Sequence, residues 1–166
     1  MSQDGPGRAD AQVIAGAIGA LVLRANRMHL YDELLGGHGG DGGVAGVDRA
    51  TYPVISGLAR IGPCTTSELA DQIGLDRTVA SRHATRLQQA GLLARQPSPD
   101  DLRSTVLRLT PEGERCVQAL RTRLEDLVLA ALPDWPPERT HRFAHDLGQV
   151  VHNLTGVAAE PGHDHP

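Results

Sequence analysis

The sequence predicts a mainly α-helical fold carrying a small antiparallel β unit of two or three strands. Three observations lead there. Apolar residues recur at spacings of three and four near both ends of the chain, the pattern of amphipathic helices. A central stretch, 62–110, is punctuated as two short helices, with Gly74 and Gly91 closing them and Asp76 opening the second. Two short apolar runs then bracket QPSPDDLRS, whose prolines and paired aspartates oppose further helix.

Composition bounds the remainder. The 166 residues are enough for one domain with extensions. Only four aromatics occur, Tyr31, Tyr52, Trp135 and Phe143, so the core is expected to be aliphatic. All 16 basic residues are arginine. The net charge of −4 is unevenly spread: residues 60–110 hold seven arginines against five acids, while both flanks are acidic. Local potential, not the total, governs attraction to phosphate. No apolar run is long enough to span a bilayer, and Asp4, Gly5 and Pro6 oppose a secretory signal, so no membrane partner and a cytoplasmic site are expected. The two cysteines share no close-spaced motif, which fits a reducing compartment.

In chain order, residues 1–10 are expected to be disordered. Residues 11–35 form one long amphipathic helix through Val13, Ile14, Ala17, Ile18, Leu21, Val22, Ala25 and Met28. Residues 36–46, GGHGGDGGVAG, hold seven glycines and read as a linker. Residues 47–110 are the proposed reading domain. Its first helix runs to about Ile61, starting near Ala50 or through a bent turn because Pro53 opposes a regular start at Asp48. Thr65 or Thr66 caps the next helix, with Glu68 in its first turn. Asp76 caps the third, Arg77 to Ala90, on which Ala80, His83, Ala84 and Leu87 share one inward face. Strands at Leu92–Arg95 and Thr105–Leu109 pair as a ribbon. Thr110-Pro111 starts a helix of about twenty residues, and a last helix follows Asp134-Trp135-Pro136-Pro137 to about Thr155. Regions 11–35 and 111–155 together are the expected helical dimerisation region, and 156–166 a disordered tail.

The outward side of Arg77–Ala90 holds hydroxyls and arginines, and no acid occurs between Asp76 and Asp100. Such a surface suits a groove of phosphates and base edges: a guanidinium spans the two acceptors of guanine, and a methyl meets thymine. Arg77, Thr78, Arg82 and Arg86 are therefore the expected major-groove residues, with Val79 against a thymine methyl. Thr66, Ser67 and Ser81 are expected on phosphates. Arg103 at the tip of the ribbon is expected in the minor groove, with Asp101 orienting it.

These residues carry a family resemblance. TTSELADQIGLDRTVASRHATRLQQAGLLAR, then DLR, then LRLTPEGE resembles the winged helix–turn–helix of the MarR family of bacterial transcription regulators, matching its ELA, S-R, L-x-x-x-G-L and L-T-x-x-G positions in order and spacing. The motifs are confined to 62–115, and the helical arrangement extends over about 11–155. The resemblance implies a homodimer on a pseudo-palindromic double-stranded DNA operator, a repressor, and release by a small aromatic or phenolic effector. Met28, His29, Tyr52 and Trp135 are the expected lining of the effector crevice. Hydrophobic accounting agrees on the dimer, since the terminal stripes exceed what one reading unit can cover.

Competing chemistry is thinner. No Gly-x-Ser-x-Gly, Walker or dinucleotide glycine motif supports an enzyme, and no cofactor or metal is expected. A redox-responsive variant of the same regulator would use Cys64, whose thiol pKa nearby amides could lower; relatives that sense peroxide carry a cysteine in the first helix, which is absent here. A metal-responsive variant would use His141 and His145, four apart but lacking a third ligand. Cys116 and His83 read as packed core residues. A winged helix that binds protein would show apolar anchors on its reading face; this one shows arginines and hydroxyls.

Overall fold

The computed structural model describes residues 7–36, 46–98 and 104–156. The chain divides into two compact units at Glu125/Asp126. In the first lie helices α1 (Arg8–Val22), α2 (Arg24–Leu35) and α3 (Tyr52–Ile61), strand β1 (Cys64–Thr65), helices α4 (Thr66–Ile73) and α5 (Arg77–Gln89), and strands β2 (Leu93–Pro97) and β3 (Thr105–Leu109). Helix α6 (Pro111–Ala130) runs across the boundary, and α7 (Pro137–Thr155) belongs to the second unit.

Each helix of the reading unit starts where its capping chemistry dictates. Asp48 Oδ1 accepts from the Ala50 and Thr51 amides at 3.0 and 2.9 Å, forming a bent turn that delays α3 to Tyr52 and leaves Pro53 within its first turn, where no amide donor is lost. Thr65 and Glu68 form a reciprocal capping box on α4, with the Thr65 amide donating to Glu68 Oε2 at 2.7 Å. Asp76 Oδ1 accepts from the Thr78 and Val79 amides at 2.7 and 3.3 Å to open α5. Thr110 Oγ1 accepts from the Gly113 amide at 3.0 Å at the start of α6.

The aliphatic core gathers Leu34, Val54, Ile55, Leu58, Leu69, Ala80, Ala84, Leu87, Leu93 and Leu107, each at most 2% exposed. Leu92, Cys116, Val117 and Leu120 extend it to the first turns of α6. Gly113 is required there, because a Cβ at that position would overlap the Leu92 carbonyl oxygen. The sheet is antiparallel in the order β1-β3-β2, with Cys64 opposite Leu107 and Leu93 opposite Leu109.

Several boundaries differ from the sequence expectation. The expected single helix over 11–35 is two, separated at Leu23, whose ψ of 132° is extended; neither glycine nor proline marks the break. Helix α1 also begins earlier, at Arg8, inside the segment expected to be disordered, with Asp10 in its first turn favoured by the helix dipole. Strand β2 runs on to Pro97, into the segment expected to be loop. It is an edge strand, so a proline at its end breaks no interior ladder. The linker core 37–45 and the tail 157–166 lie outside the described residues.

Candidate nucleic-acid interface

Helix α5 separates its faces as its periodicity requires. Ala80, His83, Ala84 and Leu87 are buried, and Arg77, Thr78, Arg82, Thr85 and Gln89 are exposed opposite them. Arg77, Thr78, Ser81, Arg82 and Thr85 line one shallow concavity. It adjoins a cleft of about 480 Å³ lined by Thr65, Thr66, Ser67, Arg77, Ser81, Arg95, Ser104 and Thr105. The structure thus brings together three elements: the first turn of α4, the exposed face of α5 and the base of the β2–β3 wing.

The acids near this surface are already engaged. Amide and hydroxyl donors of Thr65 hold the Glu68 carboxyl below its usual range, and amides of Thr78 and Val79 do the same for Asp76. Both carboxylates complete helix N-termini, whose partial positive charge offsets theirs. Hydroxyls and guanidinium groups line the surface between them, a donor set that phosphate oxygens and guanine edges accept from.

Thr66, Ser67, Arg77, Thr78, Ser81 and Arg82 therefore share one surface, as the sequence reading expects. Two others stand differently. Val79 is half-buried on the flank of α5, away from the centre of the exposed face. Arg86 lies on the same flank and is ion-paired with Asp48. Asp101 and Arg103 lie outside the described residues.

Arg95 is the residue that sequence reasoning missed. Its Nη2 donates to the Ser81 carbonyl at 3.3 Å and to Thr85 Oγ1 at 3.2 Å, and its Nε donates to Gln88 Oε1 at 3.2 Å. It thereby ties the wing to α5 and places a guanidinium at the cleft. The signal was available: Arg95 is two residues past buried Leu93, hence on the strand face turned toward α5.

The expected effector residues belong to two different units, Met28, His29 and Tyr52 to the first and Trp135 to the second. Met28 lies on α2, His29 is exposed, and Tyr52 is half-buried with its ring centroid 5.2 Å from that of Tyr31. Burial, then the neighbouring Tyr31, raises the Tyr52 hydroxyl pKa. Trp135 belongs to the second unit, edge-on to Phe143 at 5.4 Å with the Arg139 guanidinium 3.8 Å above its ring. A separate cleft of about 330 Å³ lies among α3, β3 and α6, with Leu58, Ala59 and Val117 on its walls beside Arg108, Glu114 and Arg121.

Cys64 does not carry the lowered thiol pKa that nearby amides could give. It is buried on β1, and burial, then the Glu68 charge, pushes its thiol pKa up rather than down. Cys116 is also buried, and its thiol is pushed up to about 11. Reactive cysteines need the opposite shift. His141 and His145 are exposed on α7, with His145 Nδ1 3.3 Å from Asp146 Oδ1. No group of three or more His, Cys, Asp or Glu among the described residues is arranged to hold a metal ion. No helix among them is long and apolar enough to cross a membrane.

The family-level comparison falls on this same segment. Residues 45–104 match the model of the MarR family. The chain is similar to YdgJ of Bacillus subtilis, an uncharacterized HTH-type transcriptional regulator, at 21% identity over 69% of this chain and 70% of that one. Among solved structures, a MarR family protein from Bacillus stearothermophilus superposes with a TM-score of 0.70 at 18% identity, over 91% of this chain and 99% of that one. Bordetella bronchiseptica BpsR, whose DNA binding is regulated by 6-hydroxynicotinic acid, superposes with a TM-score of 0.54 at 19% identity, over 84% and 98%.

Proposed function

We propose that the chain is a winged helix–turn–helix transcription regulator of the MarR family, a reading supported by the match over residues 45–104, and that it represses transcription as a homodimer on a pseudo-palindromic DNA operator. One observation carries the reading. The exposed face of α5 joins the first turn of α4 and the wing base in a continuous surface of arginines and hydroxyls, while the adjacent acids are consumed as helix caps. In this reading Arg77, Thr78 and Arg82 enter the major groove. Thr66, Ser67, Ser81 and Arg95 hold phosphates at its edge, and Arg103 with Asp101 serves the wing tip.

The dimer in this proposal is built from α1, α6 and α7. Helices α1 and α7 bury no residue in the chain, and Val13 and Leu154 are 73% and 67% exposed. Two-fold pairing would cover such stripes and present two α5 helices to half-sites about one DNA turn, roughly 34–36 Å, apart.

Replacing Arg82 by Ala should cost about 1–3 kcal/mol of operator affinity and relax preference at one base pair of each half-site. Fluorescence anisotropy on systematically substituted operators reads both quantities. Full retention of base preference would exclude this placement of α5.

Effector release is the second part of the proposal, supported by the likeness to BpsR and by the cleft among α3, β3 and α6. Its apolar walls beside two arginines suit a small aromatic acid. Thermal-shift titration of such acids against the unmodified chain and Arg121→Ala tests it, with saturable stabilisation of the former only.

A further inference from the structure

We propose that Asp48 is a fixed intramolecular competitor for DNA phosphate: it holds the Arg86 guanidinium at the flank of the reading helix, so that binding to DNA exchanges a carboxylate for a phosphate. The inference rests on the DNA-reading role proposed for α5 and adds a residue outside that surface which sets its affinity.

The two oxygens of the Asp48 carboxylate have separate partners. Oδ2 pairs with Arg86 Nη2. Oδ1 accepts from the Ala50 amide at 3.0 Å, the Thr51 amide at 2.9 Å and the Thr51 hydroxyl at 3.0 Å. The Thr51 side chain is itself buried at the cap of α3. Asp48 therefore cannot follow a departing guanidinium without opening the first turn of α3.

The surrounding chain fixes it further. Gly46, two residues earlier, packs against the end of α5 so closely that a Cβ there would stand 2.8 Å from that of Ala90. Arg49, the next residue, is paired with Asp32 on α2. The acid is thus held between α2, the start of α3 and the last turns of α5.

Arg86 is the mobile partner. Half of its side chain is exposed, and it follows Arg82 by four residues, one turn further along α5. A guanidinium on a long side chain reaches either the carboxylate or a phosphate on that flank of the groove, but not both at full strength. A duplex that presents no well-placed phosphate leaves Arg86 on Asp48. Weak non-specific binding follows, since that binding is almost wholly electrostatic.

Asp48→Asn tests this with little structural cost, because the amide oxygen can keep the Oδ1 acceptor role while the charge facing Arg86 is lost. Binding to a random-sequence duplex is measured by anisotropy over a salt series for the unmodified chain, Asp48→Asn, Arg86→Ala and the double variant. Asp48→Asn is expected to raise affinity several-fold and to steepen the slope of log K against log salt by about 0.9, one additional phosphate. In the Arg86→Ala background the same substitution should leave the slope unchanged and alter affinity less than twofold.

Equal gains in both backgrounds would show that Asp48 acts only as one more negative charge, and would overturn the proposal. So would an unchanged slope, or weaker binding by an Asp48→Asn chain whose melting temperature is normal. If that variant melts early, the operator duplex supplies the second comparison. There the unmodified chain makes the exchange, so Arg86→Ala should lower the slope of log K against log salt by about 0.9, whereas an unchanged slope counts against the exchange. Salt-dependent binding with none of these differences removes Asp48 alone from the mechanism, whereas no binding of any duplex by the unmodified chain removes the DNA-reading role and this inference with it.

Discussion

Helices α5 and α7 carry apolar stripes of similar regularity, yet they end in opposite states. On α5, Ala80, Ala84 and Leu87 are fully covered by the rest of the reading unit. On α7, Phe143, Leu147, Val151 and Leu154 are all between 39% and 67% exposed. Helix α1 repeats the second case, with no buried residue in fifteen. Periodicity reports that a face is to be buried, not by what. Where the chain supplies a partner, the stripe becomes core; where it does not, the stripe stays exposed, as interaction surfaces do. The reading unit is thus complete within one chain, and the terminal helices are not.

The strongest way to break this contrast is to charge the bare stripe. Leu147→Asp together with Leu154→Asp should convert a dimer to a monomer by light scattering and lower operator affinity by a hundredfold to ten-thousandfold, the gain that linking two half-sites ordinarily supplies. The isolated reading unit should keep its weak affinity for a single half-site. A monomeric unmodified chain would remove the premise directly.

Truncating the covered stripe should act on folding instead. Leu87→Ala leaves a cavity beneath the reading helix, and such deletions cost about 2–5 kcal/mol. Denaturant unfolding should show the loss, while the association state of the folded fraction stays unchanged. If Leu87→Ala weakened the dimer more than the fold, the division drawn between the two kinds of helix would be wrong.

Much of this was legible beforehand because it depends on local chemistry. Asp76, Thr65 with Glu68, and Gly74 mark helix ends through bonds made within a few residues, and the inward face of α5 follows from a spacing of three and four. The break at Leu23 was not legible, since no glycine or proline marks it. Nor were the partners of arginines. Arg86 and Arg95 look alike in sequence, but one meets an acid 38 residues away and the other a carbonyl 14 residues away. The direction of the Cys64 shift was hidden for the same reason: its nearness to helix-forming amides is a local fact, whereas its burial, which decides the shift, is a tertiary one.

His83 offers the smallest but most selective test, because it stands on the covered face and can itself be charged. It is 8% exposed, and its Nδ1 has no hydrogen-bond partner among the described residues. Burial lowers its pKa below 6.5, the positive charges of Arg82 and Arg86 lower it further, and Asp48 opposes them. The unfolded chain therefore takes up this proton before the folded one. Stability is undiminished above about pH 6.5, the unfolded value, falls as the pH drops through the lowered folded value, and levels off once both states are protonated. His83→Leu keeps an apolar group of similar size at that position and removes the proton. The difference in unfolding free energy between the two chains, at equal protein concentration, should be flat from pH 8 to 6.5 and then shift in favour of the variant on acidification. A difference that stayed constant to pH 5 would mean that water reaches the imidazole in the folded state, and that the covered face of α5 is less closed than its leucine and alanines indicate.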